Sequence, residues 1–64
     1  MIRLDITTDG ETKEVSVNEE HILAVESADD GRAMVLMLTG MMYKADQTAK
    51  QVLERIDRAN AVRR

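Results

Sequence analysis

The chain has 64 residues, 44% hydrophobic and 33% charged, with a formal net charge of −3. That length makes one domain, whose single core supplies only about 3–5 kcal/mol unless something staples it; the absence of cysteine excludes disulfides and thiolate metal sites. With a pI near 5.0 and a single aromatic, Tyr43, the chain lacks the basic charge and stacking rings that a nucleic-acid reader normally combines.

Ile2, Leu4 and Ile6 alternate with Arg3, Asp5 and Thr7, and a period of two predicts a half-buried strand. Asp9-Gly10 supplies the positive φ of a tight reversal, and Val15 and Val17 share one face of a second strand, so the two form a hairpin. Asn18-Glu19-Glu20 interrupts the pattern before a short apolar strand from His21 to Ser27. The next turn, Ala28-Asp29-Asp30-Gly31-Arg32, is again marked by Asp-Gly. Ala33 to Leu38 is apolar throughout, and Thr39-Gly40 reads as a two-residue turn into Met41 to Ala45. Beyond that, Ala49, Val52, Leu53, Ile56 and Ala59 form one helical stripe. Thr48 stands at the N-cap with Gln51 at capping-box spacing, and Glu54 and Arg58 lie at i and i+4. The expected fold is α+β: a small antiparallel meander of about five strands over residues 1–45, SH3-like or half-barrel. A C-terminal amphipathic helix over 46–62 closes it, and Arg63 and Arg64 form a basic tail suited to the negative pole of the helix dipole.

A two-residue turn at Thr39-Gly40 pairs Leu38 with Met41, Met37 with Met42, Leu36 with Tyr43 and Val35 with Lys44. One face then carries Met34, Leu36, Leu38, Met41, Tyr43 and Ala45; the other carries Val35, Met37 and Met42, ending at Lys44. A strand with one wet face should alternate, and this hairpin does not. Either both faces are covered within the subunit, or one docks on another chain. A single helix offers little material to shield two sheet faces, which points to Val35, Met37, Met42 and Lys44 as a protein interface, with a homodimer as its commonest form. Methionine suits adaptable contacts, although it also fills cores that lack aromatics.

No catalytic or cofactor motif is visible. His21 is the only histidine and has no partner at a known spacing. Asp29-Asp30-Gly31 lacks the spaced carboxylates and closing Glu of a calcium loop. Phosphate loop, nucleophile elbow and zinc-protease signature are all missing. The reading is therefore a non-enzymatic module with no cofactor and no metal. Charge is uneven: residues 1–31 carry nine acids and two bases, residues 32–64 seven bases and three acids. Either the two signs meet on the folded surface, or they steer charged partners. An alternative class of function is thus contact with a nucleic acid or another anionic surface through Arg55, Arg58, Arg63 and Arg64. A further alternative is a small phage or mobile-element inhibitor or adaptor that binds a host protein. The charged start, Met1-Ile2-Arg3-Leu4-Asp5, lacks an apolar leader, and no apolar run is long enough to span a bilayer, so a cytoplasmic location is expected.

The order Met1-Ile2-Arg3-Leu4, Asp9-Gly10, Asn18, Ile22, Glu26, Gly40, Tyr43, Thr48, Val52 and Ile56 resembles the FlbD-like small flagellar proteins. The closest part runs from Gly40 through Tyr43 to the cap at Thr48, and on to Val52 and Ile56. The resemblance implies a small cytoplasmic protein that supports motility and is not an enzyme.

Overall fold

The computed structural model describes residues 1–62, so the basic tail of Arg63 and Arg64 lies outside the described residues. Five strands and one helix follow in chain order: β1 (Ile2–Thr8), β2 (Glu11–Val17), β3 (Ile22–Ser27), β4 (Ala33–Met37), β5 (Met42–Ala45) and α1 (Ala49–Val62). All strand pairing is antiparallel, β1 with β2 in one sheet and β3-β4-β5 in the other, so the expected α+β meander closed by a helix is the observed architecture. The barrel does not close.

Local chemistry accounts for most boundaries. β1 and β2 turn through Asp9 and Gly10, at φ 53° and 80°, the pair of positive angles that a two-residue turn demands. Asn18 then caps a 3₁₀ turn over Glu19–His21, its Oδ1 accepting from the Glu20 amide at 3.0 Å. The buried Glu19 carboxylate sits 3.0 Å from the Met1 α-ammonium. At the helix start the capping box is complete: the Gln51 amide donates to Thr48 Oγ1 at 3.2 Å, and the Thr48 amide donates to Gln51 Oε1 at 3.0 Å.

The helix begins at Ala49 and not at position 46, because Asp46 and Gln47 join the two sheets. The Asp46 amide donates to the Asp5 carbonyl at 2.6 Å, and Thr7 Oγ1 donates to Asp46 Oδ2 at 2.5 Å. Gln47 is buried: its Oε1 accepts from the Asp5 amide at 3.1 Å and its Nε2 donates to Asp5 Oδ2 at 2.8 Å. Its carbonyl accepts from the Ala33 amide at 2.8 Å. One side chain thus ties the first strand to the last, and its own buried polar atoms are satisfied by doing so.

The core is Ile2, Leu4, Val17, Ala33, Val35, Met37, Ala45 and Val52, with Val15, Ile22, Val25, Tyr43, Ala49, Ile56 and Ala59 packed around it. The helix contributes a narrower stripe than expected, since Leu53 is half exposed while Val52 is fully buried. Residues 49, 52, 56 and 59 make one seam, and Leu53 falls beside it.

Candidate protein-binding face

The second hairpin differs from the sequence expectation by one residue. β4 and β5 pair Leu36 with Met42, Val35 with Tyr43, Met34 with Lys44 and Ala33 with Ala45. The Met37 amide donates to the Met41 carbonyl at 2.8 Å and the Gly40 amide to the Met37 carbonyl at 2.9 Å, so the loop is three residues, Leu38-Thr39-Gly40. Only Gly40 has positive φ, at 91°. A two-residue turn would ask the β-branched Thr39 for a positive φ as well, which its side chain resists. The Asp29-Asp30-Gly31 loop is built the same way: the Ala28 amide donates to the Arg32 carbonyl, the Gly31 amide donates to the Ala28 carbonyl, and Gly31 is at φ 85°.

A one-residue slip turns every side chain of β5 to the other face. Val35 and Met37 point inward beside Tyr43 and Ala45, and both are buried, Val35 completely. They belong to the core of the single subunit, which corrects their expected place on an interface. Met42 and Lys44 do point outward, but alongside Met34 and Leu36. The register with β3 extends this surface into two cross-strand rows, Glu26–Met34–Lys44 and Ala24–Leu36–Met42. Leu23, at the bulge between Ile22 and Ala24, is 63% exposed; Leu38 and Met41 at the hairpin end are 58% and 55% exposed, and Met42 is 45% exposed.

The outer face of the three-stranded sheet is therefore apolar along its middle and charged at one end. Lys44 Nζ lies 2.9 Å from Asp30 Oδ2. Arg32 Nε is 3.8 Å from both Asp30 Oδ2 and Asp46 Oδ1. The hydrogen bond from Lys44 and then the Arg32 backbone amide hold the Asp30 carboxyl below the ordinary value of 3.8. These pairs join bases of the second half of the chain to acids of both halves, so opposite signs do meet on this part of the surface.

Alternation alone could have identified Met34 and Leu36 as outward once the loop length was known. The exposure of Leu23 has no such signal, because it depends on the bulge. Arg55 and Arg58 lie elsewhere, on α1, where with Arg3 and Ser16 they line an open groove between the helix and the first sheet. Among the described residues, no group of three His, Asp or Glu side chains is placed to hold a metal ion, and no helix is long and apolar enough to cross a membrane. Fold and surface together define a small α+β domain whose three-stranded sheet has a partly exposed apolar outer face. No family model, curated protein or solved structure matches the chain.

Proposed function

We propose that the chain is a non-enzymatic protein–protein interaction module that associates with a second copy of itself through the outer face of β3-β4-β5. The observation that carries the reading is the contiguous apolar row of Leu23, Ala24, Leu36 and Met42, with Leu23 and Met42 exposed and Ala24 and Leu36 half-buried between them, bordered by the exposed Leu38 and Met41. An exposed apolar face of this kind on a soluble fold marks an interaction surface.

The pattern of the two rows favours a second copy as occupant. A two-fold axis along β4, lying between two such faces, exchanges their β3 and β5 sides and keeps each row opposite itself. Ala24 then meets Met42 of the second copy, small against large, while Leu36 meets Leu36 and Met34 meets Met34. Glu26 meets Lys44 of the second copy, opposite charges at the rim. Aligned packing of two sheets at about 10 Å and roughly −30° accommodates this arrangement. The motility role implied by the FlbD-like resemblance is one setting for such a dimer.

Sedimentation velocity across a hundredfold range of concentration tests the proposal. The expected outcome is a concentration-dependent shift from a 7.2 kDa species to its dimer, lost in Met42→Glu with the circular-dichroism melt preserved. A species that stays at 7.2 kDa throughout, or a Met42→Glu variant that still dimerises, overturns it.

A further inference from the structure

A second surface, apart from the sheet face, has its own chemistry. The groove between α1 and the first sheet has a volume of about 530 Å³ and is lined by Met1, Ile2, Arg3, Ser16, Arg55, Arg58 and Ala59. That size is in the range of small-molecule sites. Its charged side chains are three arginines from two elements, brought together by the docking of the helix on β1. Arg55 Nη1 donates to the Arg3 carbonyl, a bond that holds this guanidinium at the groove wall. Ser16 sits directly across the ladder from Arg3 and adds a hydroxyl.

We infer that this groove binds the phosphoryl group of a small phosphorylated ligand. Arginine presents a planar fork of N–H donors that suits phosphate oxygens, and three guanidiniums with a hydroxyl exceed what one planar carboxylate can use. A tetrahedral dianion has oxygens for several of them. The apolar atoms of Met1, Ile2 and Ala59 leave room for an organic portion beside it. Tyr43, the only aromatic, packs against the core, so no ring in the groove stacks a base, and a nucleic-acid strand is the poorer fit. Glu14 is the acid facing Arg3, at 3.6 Å between two side chains that are both more than 60% exposed. Such a surface pair is weak, and an entering dianion displaces it.

Calorimetric titration with inorganic pyrophosphate at constant ionic strength tests the inference. Saturable one-to-one binding is expected, weakened about tenfold or more by Arg58→Gln. Lys13→Gln removes one positive charge from the turn end of the same hairpin and should change affinity by no more than about twofold. Arg3→Gln provides a second lesion should Arg58→Gln perturb the helix, which circular dichroism reports. No saturable binding, or an equal loss in Lys13→Gln, overturns the site. Tighter binding of citrate or of an oligothymidine than of pyrophosphate overturns its assignment to a small phosphorylated ligand.

Discussion

The hairpin at Asp9-Gly10 and the hairpin at Thr39-Gly40 look alike in sequence and fold differently. The first takes a two-residue turn, because Asp and Gly both accept a left-handed backbone. The second takes a three-residue loop, because Thr39 does not, and only Gly40 is left to carry the positive φ. One residue of loop length decides which side of β5 meets the core. The consequence is larger than the cause: Met42 passes from a partner of Met37 to a neighbour of Leu36, and the apolar surface changes its membership. Turn chemistry, usually a detail of connection, here selects which apolar side chains stay exposed.

The sharpest way to probe this difference is to strike adjacent residues of β4. Val35→Ala removes a fully buried side chain and should cost about 2–3 kcal/mol in urea unfolding, a large share of a small domain's stability. Leu36→Ser, one residue along and facing outward, should cost less than about 1 kcal/mol yet weaken self-association. Equal losses from the two would mean that the faces are not distinct.

A smaller effect is expected at the turns themselves. Gly40→Ala and Gly10→Ala each force an alanine into positive φ where no neighbouring atom crowds the added Cβ. Each should cost about 1–2 kcal/mol from backbone strain alone. Thermal melts of the two variants check this, and Gly40→Ala should also raise exchange of the Met37 amide, whose bond to the Met41 carbonyl closes the loop.

The smallest effect lies in the third turn. Asp30, drawn below its ordinary value mainly by Lys44, adds stability above pH 3.8 that is lost as the pH falls through its lower folded value. Asp30→Asn should therefore lower the melting temperature slightly near neutrality, where that stability is present, and meet the parent curve in acid, so that the acid decline is shallower. An unaltered acid limb would show that the Lys44 contact does not persist in solution.

Much of the architecture was legible in local pattern. Alternation at Ile2, Leu4 and Ile6, paired turn residues at Asp9-Gly10 and the Thr48–Gln51 box each act through neighbours a few positions away, and each appears in the fold as expected. Gln47 shows why other features were not. Nothing in its surroundings marks it, since its partner Asp5 is 42 residues distant and the bond exists only once β1 and the end of β5 meet. Leu53 is similar: it falls within the apolar stripe by spacing, but the helix docks along Val52 and leaves it half exposed. Arg3 enters the arginine groove for the same kind of reason, being placed beside Arg55 and Arg58 by packing.

The sequence by itself determined the class of fold, the order of its elements and the presence of more apolar side chains around Gly40 than one helix shields. Those follow from periodicity and short-range backbone preference, which act within a turn or two. Tertiary structure decided which of those side chains stay outside. That depends on a register between strands, and register is chosen jointly by the permitted φ of one loop residue and by what the core on the inner face accepts.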